Sequence, residues 1–463
     1  MLFTSFDFLV FFAVLIGLLV VVRPPRARSW IVLAFSYLFY AAWDWRFLSL
    51  LLACSLWNWG LGLLIEKAEG RARLRWTVLA VTLNLAALGY FKYANFFILS
   101  FAKLLGVHVG ALAIILPLGI SFFTFQGVAY VLDVHRREHA AEKSLFAFLF
   151  FKAFFPQLIA GPIVRADDFM NQVERPFRFN RPMMIMGFQY FLVGAVSKLV
   201  FADNLAICVD QIFTKPGMFD AATLWLGVMA YTGQIFTDFF GYSMMAIGLA
   251  RILGYRLPLN FRMPYTSLSI QEFWRRWHIT LSNWLRDYLY ISLGGNRKGR
   301  VRTYANLILT MLVGGLWHGA NWNFVFWGGL HGAALALNRL WSTPWLGGRK
   351  VGRIAAWAVT FLFVSLAWVP FRAADFHTSW IILKGMAGLG EGRASWPYAP
   401  ALVLLALLAT WHLVFALSPR WLKGRLGFRK PLGWLAAAVI VAEIAAIALY
   451  APVGQAPFIY FQF

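Results

Sequence analysis

The sequence predicts an all-α, multi-pass integral membrane protein, and three observations carry that prediction. Hydrophobic residues fill 61% of the 463 positions and charged residues only 13%, against about 45–50% and about 25% in soluble domains. Mean hydropathy is +0.67. Apolar runs recur along the whole chain, several approaching the roughly 20 residues that a helix needs to cross a bilayer core. A helix is expected for each, because it satisfies its own backbone groups in lipid.

Taken in order, the expected spans are 7–22, 30–43, 47–65, 76–92, 111–134, 145–164, 183–202, 221–236 and 239–253, then 304–317, 322–340, 354–369, 402–417 and 432–450. Several fall short of a full crossing, so re-entrant or tilted elements are expected beside about eleven transmembrane helices. The first run has no basic region before Arg23 and no small-residue cleavage site after it, so it reads as a retained span rather than a removed signal. Arg23, Arg26 and Arg28, and two spans later Arg71, Arg73 and Arg75, would both lie on the cytoplasmic side. No internal repeat of the transporter kind is visible.

The net charge of +23 does not argue for nucleic acid. The basic residues sit in short loops between spans, where cytoplasmic retention and anionic headgroups account for them. Cys54 and Cys208 both lie in apolar segments and offer neither a disulfide framework nor a metal site.

Two stretches depart from ordinary spans. In 145–169, Lys152, Pro156, Gly161 and Pro162 interrupt an apolar run; such breaks survive at membrane depth only where protein or a water-filled cavity satisfies the backbone. The other is SLSIQEFWRRWHITLSNWLRDYLYISLGGNRKG, from Ser267. At helical period Ile270, Phe273, Trp274, Trp277, Leu281, Trp284, Leu285 and Tyr288 form one apolar stripe, opposite Glu272, Arg275, Arg276, Arg286 and Asp287. A helix lying along an interface or over a cavity follows. It turns His278 inward, either as an interfacial histidine bonded to a carbonyl or as a polar group presented to a cavity. The glycine-rich basic loop GGNRKGR, with Arg297 and Lys298, is either a plain turn or a phosphate contact.

GGLWHGANWNFVFWGGLHG, Gly314 to Gly332, follows a run without ionisable groups. An ionisable residue at membrane depth is a functional candidate by default, and a buried imidazole kept neutral suits general-base work. His318 is therefore the leading candidate, with a packing histidine as the alternative. Trp317 and Trp322 could wall a cavity, Asn321 and Asn323 could supply donors, and the glycines permit close approach or a helix break. His331, thirteen positions on, would point roughly 220° away on a continuous helix, so it reads as a supporting cavity residue. His135 and His139 have i,i+4 spacing in a charged loop with no third ligand in view, so no metal is expected. Serine-hydrolase and phosphate-loop motifs are absent.

FWRRWHITLSNWLRDYLYISLGGNRKG followed by LVGGLWHGANWNFVFWGGLHG resembles the membrane-bound O-acyltransferase family, and within it the bacterial branch of alginate O-acetyltransferase membrane subunits. Further matching pieces are LGISFFTFQGVAYVLDVHRRE, which contains Gln126, then PQLIAGPIVRADDF, GYSMMAIGLARILGY and PFIYFQF. The resemblance implies a single membrane-embedded domain over 1–463 with its signature core near 117–340, built around a funnel or tunnel. It implies His318 as catalytic histidine and His278 as the second signature position. Arg275, Arg276, Arg297 and Lys298 are candidates for donor phosphates, and Trp277, Trp317, Asn321, His331, Asp238 and Gln126 for the donor-binding site or cavity. One departure stands out: relatives read close to DFSGYSDMAIGL where this chain has DFFGYSMMAIGL, so Phe240 and Met244 replace polar residues.

The expected activity is transfer of an acetyl group from a cytoplasmic thioester, acetyl-CoA, across the bacterial inner membrane toward an extracytoplasmic polysaccharide such as alginate. A periplasmic partner protein would complete it, and no cofactor is expected. D-alanyl transfer from a carrier protein to teichoic acid, and a transporter or flippase using His318 as a proton relay, are the alternatives.

Overall fold

The computed structural model describes residues 1–175, 177–340, 350–417, 433–452 and 458–459. Pro457 and 460–463 of the PFIYFQF piece, and Leu432, lie outside them. Among the described residues the only β pairing is an isolated bridge between Phe219 and Ala394. The helices are α1 (Phe6–Val21), α2 (Pro25–Asp44), α3 (Leu48–Lys67), α4 (Gly70–Leu88), α5 (Ala94–Leu105), α6 (Ile120–Arg136), α7 (Leu145–Ala153), α8 (Phe155–Leu158), α9 (Ala166–Val173) and α10 (Arg181–Val196). They continue as α11 (Asp203–Thr214), α12 (Ala221–Ile252), α13 (Ile270–Trp274), α14 (Ile279–Trp284), α15 (Gly299–His318), α16 (Trp322–Leu340), α17 (Lys350–Arg372), α18 (Phe376–Met386), α19 (Tyr398–Leu417) and α20 (Gly433–Tyr450).

Among the described residues, five helical runs are long and apolar enough to cross a membrane: Pro25–Lys67, Gly70–Leu105, Arg181–Thr214, Val351–Arg372 and Tyr398–Leu417. The 43 residues of Pro25–Lys67 are about twice what one crossing requires. The helices that carry Asp238, His318 and His331 are not among the five.

The chain divides into two compact units. The first holds Met1–Phe191 and Met245–Pro258. In it α3, α4 and α6 pack together around a buried amide pair: Asn58 Nδ2 donates to Asn84 Oδ1 at 3.1 Å, and Asn84 Nδ2 returns a bond to Asn58 Oδ1 at 2.9 Å. The interrupted stretch after Leu145 is also in this unit, and its backbone is satisfied by protein. Ser36 Oγ accepts from the Phe155 N–H at 3.2 Å, Gln157 Nε2 donates to the Phe151 carbonyl at 2.6 Å, and the buried Lys152 ammonium donates to the Phe123 carbonyl. The break expected from Lys152 and Pro156 is real, and it separates α7 from α8.

The second unit holds Leu192–Met244 and Leu259–Phe463. Its centre is the α15–α16 hairpin, with α13 and α17 packed on α16.

Four expectations need correcting. The span 111–134 is helical only from Ile120, because Pro117 and a left-handed Gly119 (φ +74°) turn the chain first. The spans 221–236 and 239–253 are one helix, α12; Asp238, which lies between them, has its charge matched by Lys198 at 2.8 Å and needs no break. Arg71, Arg73 and Arg75 lie in the first turns of α4 rather than in a loop, and Arg73 donates to the Val134 carbonyl at 2.6 Å. The amphipathic segment is not one helix but α13, a turn, α14 and a wide π turn at Leu285–Tyr290. Its eight stripe residues are nonetheless all buried, while Arg275 and Arg286 are exposed.

Candidate active site

His278 sits in the turn that breaks the amphipathic segment. It is fully buried, and its φ of +42° places a side-chain-bearing residue in the left-handed region. Such a conformation costs on the order of 1–3 kcal/mol and persists only where its surroundings fix it. Asn260 fixes it. The Asn260 carbonyl accepts from the Ile279 N–H at 2.9 Å. Its side-chain Oδ1 accepts from the Thr280 N–H at 3.3 Å and the Thr280 hydroxyl at 2.9 Å.

That arrangement assigns the His278 tautomer. A backbone N–H only donates, so the Asn260 atom facing Thr280 is the oxygen. The same oxygen lies 3.2 Å from His278 Nδ1, so Nδ1 carries the proton and Nε2 of the neutral ring holds the lone pair. Phe239 meets the ring edge-on at 4.6 Å between centroids, and Trp317 lies at 5.8 Å.

His318 is the last residue of α15. The chain turns through Gly319 to Asn321 and returns as α16, so the glycine-associated break falls there. The hairpin backbones touch: a Cβ at Gly315 would lie 2.1 Å from the Phe324 carbonyl oxygen, and one at Gly328 would lie 2.2 Å from that of Met311. Small residues thus let two helices meet without side chains between them. The rings of Trp317, Trp327 and Phe371 surround His318 at 5.1, 5.2 and 5.4 Å.

The hairpin also brings His331 into the same aromatic cluster, 4.6 Å from Trp327. The Trp274 indole N–H, which can only donate, reaches His331 Nδ1 at 3.2 Å. His331 is therefore held in the tautomer opposite to that of His278. The rings of His278 and His318 lie 6.3 Å apart at 60°.

Other candidates take varied places. Trp317 and Trp277 are buried; Trp277 stacks on Phe273 at 5.5 Å and meets Trp368 at 5.1 Å. Asn321 is exposed and caps α16, its side-chain oxygen accepting the Asn323 N–H at 2.9 Å. Asn323 donates to the Ala373 carbonyl at 3.0 Å. Trp322 is 53% exposed. Asn321 therefore serves the hairpin turn as the cap of α16. Arg276 is committed to Glu272 at 2.5 Å and Thr266 at 2.9 Å, whereas Arg275, Arg297 and Lys298 are exposed. Gln126 is buried on α6, in the first unit. Phe240 and Met244 are buried, and Phe240 packs on Trp411 at 5.3 Å; the replacements extend an apolar layer.

Asp238 proves to be part of a buried ionic group. Lys198 Nζ lies 2.6 Å from Asp203 Oδ1 and 2.8 Å from Asp238 Oδ1. A π turn over Ser197–Ala202 widens the helix so that residues five apart come side by side. The sequence reading missed Lys198, Asp203 and Asn260. The first two were visible as an opposite-charge pair inside an apolar run, which is itself a signal.

The family model for membrane-bound O-acyltransferases matches residues 118–346. A probable alginate O-acetylase of Azotobacter vinelandii is 44% identical over 404 residues, 85% of this chain and 80% of its own. The chain belongs to the membrane-bound O-acyltransferase family. A peptidoglycan O-acetyltransferase of Helicobacter pylori is 41% identical over 398 residues, covering 79% and 75% of the two chains. A more distant match, a teichoic acid D-alanyltransferase of Streptococcus thermophilus, is 34% identical over 241 residues, covering 48% and 57%. The protein is thus a multi-pass membrane O-acyltransferase similar to the alginate O-acetylases, and the transporter alternative falls away.

Proposed function

We propose that this acyltransferase moves an acetyl group from acetyl-CoA, bound from the cytoplasm, across the bacterial inner membrane to an extracytoplasmic polysaccharide such as alginate. The transfer runs through a tunnel in a membrane domain of about eleven crossings, and a periplasmic partner completes it. His318 is the general base. Its neutral ring takes the proton of the attacking hydroxyl while the oxygen adds to the thioester carbonyl. Collapse of the tetrahedral intermediate expels the thiolate, which recovers the proton from the imidazolium.

The observation that carries this reading is the pairing of His278 and His318, both buried, at 6.3 Å between rings. That gap is too wide for a direct ring-to-ring hydrogen bond and leaves room for a hydroxyl whose single proton goes to His318. His278 orients the acceptor. The Asn260 contact fixes the proton on Nδ1, so His278 Nε2 accepts from a second donor, a neighbouring hydroxyl of the acceptor or a water.

The test uses inverted membrane vesicles with labelled acetyl-CoA outside, and polysaccharide acceptor and partner protein inside. Label on the enclosed acceptor supports the reading; label that remains on the donor with all components supplied contradicts it. D-alanyl transfer is a second reading, favoured by the 34% match to a D-alanyltransferase. A D-alanyl carrier protein in place of acetyl-CoA discriminates the two.

A further inference from the structure

Of the sequence pieces noted above, PFIYFQF has no part in the reaction as written, yet its Phe458 and Ile459 are buried in the second unit. The Ile459 N–H donates to Asp238 Oδ2 at 2.7 Å. The other oxygen of that carboxylate faces Lys198, which Asp203 holds from the far side. A buried backbone N–H must find an acceptor, so the ionic group provides the docking point for this segment. The neighbouring ring, Phe458, stacks on Tyr242 at 4.6 Å and 25°, and meets Phe239 at 5.8 Å. Phe239 in turn stands edge-on against His278 at 4.6 Å and 86°. Asp238, Phe239 and Tyr242 all belong to α12, so one helix receives the backbone of Ile459 and the ring of Phe458 together.

We propose that Phe458 and Ile459 are positioning residues: they form a latch that backs Phe239 and so holds the His278 imidazole in place. His278 needs such backing. Its left-handed backbone lies outside any helix, so its ring direction is set by Asn260 and by the aromatic walls. The Lys198–Asp203–Asp238 group has its place here as the anchor of the latch. This inference rests on the reading of His278 as a participant in the reaction.

The test is carbethoxylation of histidines by diethyl pyrocarbonate in the full-length membrane protein, followed residue by residue by mass spectrometry, for wild type, Phe458→Ala and Ile459→Pro. Ile459→Pro removes the N–H, and Phe458→Ala removes the ring. His331, buried and without a described contact to the latch, is the internal control. The latch predicts that His278 labelling rises on the order of tenfold, equivalent to about 1.4 kcal/mol less for local opening, while His331 stays at its wild-type rate. Unchanged His278 labelling overturns the proposal. A parallel rise at both histidines also overturns it, since the segment would then only support the unit generally. Acetyl transfer by the same variants separates the underlying reading: the rate constant falls at unchanged KM for the donor. If His278 is selectively labelled while transfer continues at the wild-type rate, the role assigned to His278 is what fails.

Discussion

Replacing Gly315 by alanine adds one methyl group at the contact between α15 and α16. That methyl would lie 2.1 Å from the Phe324 carbonyl oxygen and 3.1 Å from the Gly328 Cα, both backbone. Carbon–oxygen contacts normally begin at about 3.3 Å, so the helices must separate by about 1 Å. No side chain there can rotate away. Overpacking of this kind costs about 1–3 kcal/mol. His318 lies one helical turn further on, and a shift of about 1 Å at a reacting group lowers the rate on the order of a hundredfold. Gly329→Ala is the matched control: its methyl would meet Leu312 Cδ2 at 3.4 Å, an ordinary contact. Thermal unfolding in detergent and the rate of labelled acetyl transfer, measured on both variants, give the comparison. Gly315→Ala should be less stable and nearly inactive, with Gly329→Ala close to wild type. Equal stability and activity in the two would refute the close-packed hairpin as the element that places His318.

Asn260→Ala removes the oxygen that accepts from the Thr280 N–H and the His278 Nδ1–H, a loss of about 1–3 kcal/mol; acetyl transfer should drop more than in Thr280→Val, and equal activities would contradict the tautomer assignment. Lys198→Met leaves Asp203 and Asp238 as buried carboxylates facing each other, so folded yield in membranes should fall by an amount set by about 3–5 kcal/mol. Adding Asp203→Asn and Asp238→Asn should restore much of it, as measured by size-exclusion profiles; no restoration would argue against charge as the cause. Asn58→Leu takes the Asn58 donor from the buried Asn84 Oδ1, while Asn84 Nδ2 keeps the Ala80 carbonyl at 2.8 Å, and should lower the unfolding temperature, whereas Asn58→Leu with Asn84→Leu should recover most of the loss.

Membrane class, most helices and the inward face of the amphipathic segment were legible because composition and 3.6-residue periodicity record burial directly. The stripe from Ile270 to Tyr288 identified the buried residues even though the helix breaks inside it, since a turn and a π bulge change direction without exchanging inside for outside. The break itself was not legible. It depends on Asn260, whose contacts to Ile279 and Thr280 join residues distant in the chain. The continuity of α12 through Asp238 was not legible either, since it depends on Lys198, distant in the chain. His318 stood out because nothing ionisable surrounds it in sequence. The capping role of Asn321 was not legible, because it depends on where the chain breaks between His318 and Trp322.

The central claim is that His318 takes the proton of the acceptor hydroxyl. Its most direct test is the rate of acetyl transfer from labelled acetyl-CoA to polysaccharide, comparing wild type with His318→Ala at matched folded abundance and with the partner protein supplied. The account predicts that transfer disappears in the variant while the unfolding temperature stays near wild type. Transfer at the wild-type rate by folded His318→Ala would remove this histidine from the mechanism.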